Sequence, residues 1–215
     1  MAIGSACPGR RDASTGEKIP RAAAAIIALI AWAGLAIQLN ATFASQESLG
    51  ATLWILARFF TVLTNLIVAI TFTALAFGRQ VPPSMLGGVT LAIALVGAVY
   101  MLLLRGLLEL SGGALLADTL LHKVVPVLVP IWWLAFAPKD GLTNRDPWLW
   151  ALYPLAYFAY AIARGLAGDK YPYPFMNVAE IGWLRTLTNS ALIALFFVLV
   201  GYFMLWLDRR VSRRG

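Results

Sequence analysis

The chain has 215 residues, of which 60% are hydrophobic and 13% charged, and its mean hydropathy is +0.77. Soluble domains are about 45–50% apolar and about 25% charged, so this composition excludes an ordinary soluble domain. The net charge is +7, but the basic residues stand at the ends of hydrophobic runs. That placement favours a role in membrane topology over nucleic-acid binding.

Metal and cofactor ligands are scarce in the sequence. Cys7 is the single cysteine, so neither a disulfide framework nor a thiolate metal cluster is expected. His122 is the single histidine, which argues against a histidine-rich zinc or haem site. We therefore expect no metal and no cofactor.

Six hydrophobic runs predict six membrane-spanning helices, because about 20 apolar residues cross a bilayer as a helix. Residues 1–20 are polar and predict a flexible basic tail, and residues 209–215 predict a second short one. A signal peptide is the alternative for the first run, but five further runs favour a retained helix. The predicted spans are 22–39, 52–77, 85–104, 118–137, 148–164 and 183–207.

The distribution of basic residues predicts the orientation. Six spans place both termini on one side, and eleven of the 17 Lys and Arg residues then lie on that side. Cytoplasmic segments carry an excess of Lys and Arg, so we expect cytoplasmic termini. No internal repeat is visible, and residues 21–208 are predicted to form a single transmembrane domain. The fold class is therefore all-α, a polytopic membrane protein.

The second span carries polar residues where they are energetically costly. Arg58, Thr61 and Asn65 are spaced three and seven residues apart, so a continuous helix over 52–77 would align them on one face. Polar residues inside a membrane usually face a bundle interior or a cavity and are functional candidates. The sequence predicts a polar intramembrane site with six helices around it.

Arg58 has two interpretations. As a structural residue it would pair with a carboxylate, for which Asp118, Glu109 and Glu180 are the candidates. As a functional residue it would anchor an anionic head group.

His122 also has two interpretations. It is either an interfacial histidine bonded to a neighbour or a general base, since imidazole changes charge near neutral pH. Asp118 lies four residues earlier and could fix the imidazole tautomer. A hydroxyl group on another helix would complete a nucleophile–base pair, and Thr61 is the best-placed hydroxyl. A straight second helix, however, would place Thr61 roughly 13 Å and His122 roughly 6 Å below the start of their spans.

Other residues are candidates for the walls of the site. The segment 170–177 holds Tyr173 and Phe175 between prolines and is either an interfacial cap or a lid over a lipid-sized pocket. Lys123 can extend to the outer interface or hold a carboxylate. Asn189 is either a bond between helices or part of the pocket lining.

Three short motifs in order resemble the androgen-induced protein family and its bacterial integral-membrane relatives. They are the sequence from Arg58 to Thr61 with Asn65, His122 followed by Pro126, and the loop from Tyr173 to Phe175. The resemblance covers roughly residues 21–207. The family has a small hydroxyl residue after the histidine, where this chain has Lys123.

The resemblance implies an intramembrane threonine hydrolase in a bacterial inner membrane. The characterised animal members cleave fatty acid esters of hydroxy fatty acids with one threonine and one histidine, which correspond to Thr61 and His122. The mechanism then expected is attack by Thr61 on an ester carbonyl, with His122 as base and Asp118 orienting it. Arg58 or Lys123 would hold the free carboxylate of the substrate, and Asn65 is the candidate oxyanion donor.

Three alternatives remain from the sequence. A small transporter or channel would use the same polar face for permeation, but the repeats and paired carboxylates of many transporters are missing. A non-catalytic lipid-binding protein would leave Thr61 and His122 far apart. A haem-binding electron carrier is disfavoured by the single histidine. The expected partners are a fatty-acyl ester and membrane lipids, with no nucleic acid, and the oligomeric state is open.

Overall fold

The computed structural model describes residues 13–46, 48–107 and 109–212, which form helices and connecting turns without a strand. The prediction of an all-α fold is confirmed for this part of the chain. Two helices contain one π-helical turn each, and a short 3-10 turn precedes the last helix. The α-helices are α1 (Ala13–Phe43), α2 (Leu49–Leu56), α3 (Phe60–Ala76), α4 (Pro83–Val99), α5 (Gly112–Thr119), α6 (Val125–Phe136), α7 (Asp146–Leu166) and α8 (Val178–Ser212).

Several of these helices are long and apolar enough to cross a membrane, which supports the membrane assignment. Four such segments are found within the described residues, and the bent pair of α2 and α3 makes a fifth when counted as one span. The predicted fifth span, 148–164, forms helix α7 but does not reach the same apolarity. The four segments are Glu17–Phe43, Pro83–Leu104, Gly112–Phe136 and Val178–Ser212.

The terminal helices extend beyond their predicted limits. Helix α1 begins at Ala13 and α8 ends at Ser212, so residues 13–20 and 209–212 of the predicted tails are helical. The remaining tail residues, 1–12 and 213–215, lie outside the described residues.

The prediction of one continuous helix over 52–77 is wrong. Helix α2 ends at Leu56, Phe59 is extended (φ −95°, ψ 124°), and α3 starts at Phe60. The two helix axes meet at 96°. A helix break frees backbone carbonyls that need new donors inside an apolar environment. Two tyrosines of α7 supply them: Tyr157 donates to the Arg58 carbonyl at 2.7 Å and Tyr160 to the Ala57 carbonyl at 3.3 Å.

Small residues allow the central helices to approach closely, as in other membrane helix pairs. A methyl group on Gly34 of α1 would come within 2.7 Å of the Leu121 side chain, and one on Gly97 of α4 within 2.8 Å of Pro126. Both contacts lie next to the π-helical turn Leu120–Val124, which joins α5 to α6. The glycines therefore bring α1 and α4 against the segment that carries His122.

Candidate active site

The centre of the site is a contact between Thr61 and His122. Because the helix is interrupted before Phe60, Thr61 is the second residue of α3 and lies in its first turn. His122 lies in the π-helical turn between α5 and α6, and such turns occur frequently at functional sites. The distance from His122 Nε2 to Thr61 Oγ1 is 3.1 Å, and the Thr61 side chain is buried.

Asp118 completes a chain of three polar groups. Its Oδ1 lies 3.0 Å from His122 Nδ1, and its own backbone oxygen lies 3.3 Å from the same nitrogen. With two acceptors on that side, the imidazole is assigned a proton on Nδ1, which leaves the lone pair of Nε2 facing the Thr61 hydroxyl. Carboxylate, imidazole and hydroxyl follow in the order that activates a nucleophile.

Tyr100 is a member of the site that the sequence analysis missed. It opens the π-helical turn Tyr100–Leu104 at the end of α4. Its hydroxyl group donates to Asp118 Oδ2 at 2.7 Å, and its ring stacks on the His122 ring at 4.5 Å. Tyr100 is the only aromatic residue between positions 83 and 104. An isolated aromatic residue in an aliphatic span was therefore the sequence signal that could have identified Tyr100.

Lys123 faces the same carboxylate rather than only the solvent. Its Nζ lies 3.7 Å from Asp118 Oδ2 and 5.4 Å from the centre of the Tyr100 ring. The side chain is 39% exposed, so it reaches from the site to the surface. Its ammonium group therefore shares the carboxylate that contacts His122.

The role predicted for Asn65 needs correction. Its amide nitrogen donates to the carbonyl groups of Thr61 at 2.9 Å and Leu121 at 3.2 Å. Both N–H bonds are therefore used, and none remains for a substrate oxyanion. Because Leu121 precedes His122, this fully buried amide connects the backbone of the nucleophile candidate to that of the base candidate.

The role predicted for Arg58 also needs correction. The break before α3 removes it from the helix face of Thr61, and its charge is already paired. Its Nη1 lies 3.0 Å from Asp169 Oδ1 and 3.3 Å from the Lys170 carbonyl oxygen. None of the three carboxylates considered from the sequence is the partner. Sequence separation hid the pair, since its members are 111 positions apart.

Arg164 is the second cation on Asp169, and the sequence analysis did not single out either residue. Arg164 is buried, and its Nε donates to Asp169 Oδ2 at 2.9 Å. It also donates to the Trp54 carbonyl at 3.0 Å and to the Tyr160 hydroxyl at 2.8 Å. We call Arg58, Arg164 and Asp169 the charge cluster. It joins the end of α2, the helix break and the loop after α7.

An apolar cavity of about 320 Å³ adjoins Thr61. Helices α3, α4, α7 and α8 form its walls together with the loop before α8. Tyr173 and Phe175 both line it, with their rings stacked in parallel at 5.2 Å. Apart from the Thr61 and Ser190 hydroxyls and the two tyrosines Tyr157 and Tyr173, the lining is apolar.

Asn189 is not one of the lining residues, which corrects its predicted contact with substrate. Its amide donates to the Phe175 carbonyl at 3.3 Å and so fixes the loop from α8. Within the described residues, no group of three or more His, Cys, Asp and Glu side chains is placed to hold a metal ion.

Comparisons with known proteins add no assignment: no family model, curated protein or solved structure matches this chain.

Proposed function

We propose that this protein is an intramembrane threonine hydrolase that cleaves a lipid ester, of the fatty acid ester of hydroxy fatty acid type or a similar one. A single observation carries the proposal: the Thr61 hydroxyl lies 3.1 Å from His122 Nε2 and also lines an apolar cavity. A nucleophile must contact its base and its substrate at once. A non-catalytic lipid-binding protein would not need this pairing.

The reaction proceeds in two steps. Thr61 Oγ1 attacks the ester carbonyl carbon while His122 Nε2 takes the hydroxyl proton, and the tetrahedral intermediate collapses when the same proton passes to the leaving alcohol. The product is an acyl ester on Thr61. Water then attacks this ester, again with His122 as base, and Thr61 recovers its proton as the fatty acid leaves. Asp118 holds the imidazole in the required tautomer throughout.

The oxyanion donors in this mechanism are backbone N–H groups at the start of α3. The first N–H groups of a helix have no acceptor within it, and no backbone carbonyl of the described residues accepts a hydrogen bond from the amides of Phe60 or Thr61. Both amides face the Tyr173 hydroxyl instead, which a substrate oxyanion would displace. One of these amides belongs to Thr61, the proposed nucleophile, and the other to its neighbour Phe60. The positive end of the helix dipole adds to their effect on a developing negative charge. They replace Asn65 in this role.

The cavity indicates the chemistry of the acyl group. Its apolar walls suit an alkyl chain, and two of its lining residues on the outer surface, Leu155 and Leu187, are 61% and 51% exposed. The cavity thus opens sideways between α7 and α8, where a membrane-dissolved lipid would enter. Of the two predicted cations, Lys123 is better placed for a free carboxylate of the substrate: its 3.7 Å contact with Asp118 is longer than the 3.0 Å pair of Arg58 with Asp169, and its side chain is more exposed.

We also propose that the chain crosses a bacterial inner membrane six times with both termini in the cytoplasm. The excess of basic residues on the side of the termini supports this orientation. The sixth crossing is α7, whose 21 residues are long enough to span the hydrocarbon core.

Acyl-enzyme trapping tests the hydrolase. Purified protein in detergent, mixed with p-nitrophenyl palmitate, is expected to release p-nitrophenol and to gain the mass of one palmitoyl group on the peptide that contains Thr61. Mass spectrometry of the quenched reaction gives both readings. No release above the detergent blank, or a palmitoyl group on another peptide, would contradict the proposal.

A bulky residue in the cavity is expected to exclude long acyl chains selectively. Ala191→Trp fills the cavity wall, whereas Leu192→Trp changes an exposed neighbour that does not line it. We expect Ala191→Trp to raise KM for a palmitoyl ester on the order of tenfold or more and to leave an acetyl ester unaffected. The Leu192→Trp control should resemble wild type with both esters. Equal effects of the two variants would refute the assignment of the cavity to the acyl chain.

A further inference from the structure

Tyr100 contacts Asp118, His122 and Lys123. Its hydroxyl group lies 2.7 Å from Asp118 Oδ2, its ring stacks on His122 at 4.5 Å, and Lys123 Nζ lies 5.4 Å from its ring centre. The Tyr100 and Asp118 side chains are both buried. A residue that only filled space would not need a hydroxyl group directed at a carboxylate.

The two carboxylate oxygens of Asp118 contact different groups. Oδ1 accepts from His122 Nδ1 at 3.0 Å, while Oδ2 accepts from the Tyr100 hydroxyl at 2.7 Å. A carboxylate held by one bond can rotate about its last torsion, which is broad and weakly restrained. The bond from Tyr100 is the shorter of the two contacts of Oδ2, the other being Lys123 Nζ at 3.7 Å, and it restricts that rotation so that Oδ1 stays directed at the imidazole.

Stacking restrains the imidazole itself. The planes of the Tyr100 and His122 rings are inclined by 21°, so rotation of the imidazole out of its plane would separate the rings. Both rings come from π-helical turns, Tyr100–Leu104 and Leu120–Val124. The close approach of Gly97 to Pro126 holds these turns together.

We propose that Tyr100 is a positioning residue for the base: it acts through Asp118 and by stacking to direct His122 Nε2 at Thr61. This proposal rests on the proposed hydrolase function. Tyr100 takes no part in bond making and touches neither the nucleophile nor, since it does not line the cavity, the acyl chain.

Kinetics of three variants test the proposal. Tyr100→Phe keeps the stacked ring and removes the hydroxyl, so we expect kcat to fall about tenfold, as for other groups that orient a catalytic ligand, with KM unchanged. Asp118→Asn is expected to lower kcat about 10²-fold or more. If Tyr100 acts through Asp118, the double variant should be no slower than Asp118→Asn alone. Multiplicative losses, an effect confined to KM, or wild-type kcat in Tyr100→Phe would overturn it.

A second measurement does not depend on esterase activity. His122 is the only histidine, so nuclear magnetic resonance of histidine labelled at its ring nitrogens reports one imidazole. We expect a single Nδ1–H tautomer in wild type and a mixture in Tyr100→Phe. Tyr202→Phe, which removes a hydroxyl that accepts from Trp148 away from the site, is the control and should match wild type. Unchanged nitrogen signals in Tyr100→Phe would overturn the positioning role even in an inactive protein, whereas the trapping experiment alone decides hydrolysis.

Discussion

Replacing Thr61 by alanine is expected to lower kcat/KM for a palmitoyl ester by about 10³-fold or more, because it removes the hydroxyl group that contacts His122 and that we propose as the nucleophile. The measurement is steady-state hydrolysis by purified protein in detergent. Thr61→Ser keeps a hydroxyl group at the same position and should retain much of the activity.

Two further variants separate chemistry from folding. Thr64→Val removes a buried hydroxyl one turn along α3, where it bonds to Tyr153 rather than to His122, and is expected to remain active. His122→Ala is expected to lower kcat/KM on the order of 10²–10⁴-fold. Because the two residues act as a unit, Thr61→Ala with His122→Ala should be little worse than Thr61→Ala alone. The dyad would be ruled out if Thr61→Ala or His122→Ala kept substantial activity while Thr61→Ser was inactive.

Replacing Asp169 by alanine is expected to be strongly destabilising. The change leaves the guanidinium groups of Arg58 and Arg164 without a carboxylate, and an unpaired buried cation is costly. Asp169 is 24% exposed, so we expect a loss at the lower end of the range for buried pairs, about 3 kcal/mol. Thermal unfolding in detergent measures it. Glu180→Gln changes an exposed carboxylate at the start of α8 and should leave the melting temperature unchanged.

The stability from Asp169 is expected to depend on pH in a defined direction. Burial alone would raise the pKa of this carboxyl group, but hydrogen bonds from Arg164 and the Lys170 amide, together with the charges of Arg164 and Arg58, lower the pKa below its ordinary 3.8. A lowered folded-state pKa stabilises the protein above the unfolded pKa and loses its effect as the pH falls through the folded value.

The difference in melting temperature between wild type and Asp169→Ala should therefore be constant from neutral pH down to about 4 and shrink below it. A difference that disappeared between about pH 7 and 5 would contradict the role of the Asp169 charge.

We expect the charge cluster to affect the proposed hydrolysis as well, because of its position. Arg58 stands three residues before Thr61, and Asp169 stands four residues before Tyr173. Their ion pair therefore ties the helix break to the loop that covers the cavity, so Asp169→Ala should reduce esterase activity as well as stability. A misplacement of about 1 Å can cost on the order of 10²-fold in rate.

The helix break before α3 also resolves the mismatch in depth between Thr61 and His122 that a straight second helix predicts. A straight helix over 52–77 would bury Thr61 deeper than His122 by more than one helical turn. The break places Thr61 in the first turn of a new helix, where it meets the π-helical turn of His122. It also leaves the amides of Phe60 and Thr61 free of helix acceptors.

The sequence by itself determined the all-α class, the apolar spans and the local relation of Asp118 to His122. These follow from hydrophobic run length and from the helical period, which brings residues four apart onto one face whatever surrounds them. The order of polar residues along the chain was enough to select Thr61 and His122 as candidates.

Only the tertiary structure decided which distant groups meet. Arg58 pairs with Asp169 across 111 residues and Thr61 meets His122 across 61, and neither contact has a periodic signal in the chain. The helix break depends on donors from α7, and the role of Tyr100 depends on the close approach of α4 to α6. Such contacts are set by packing between helices, so local spacing predicted Thr61, His122 and Asp118 but neither Tyr100 nor the partners of Arg58 and Asn65.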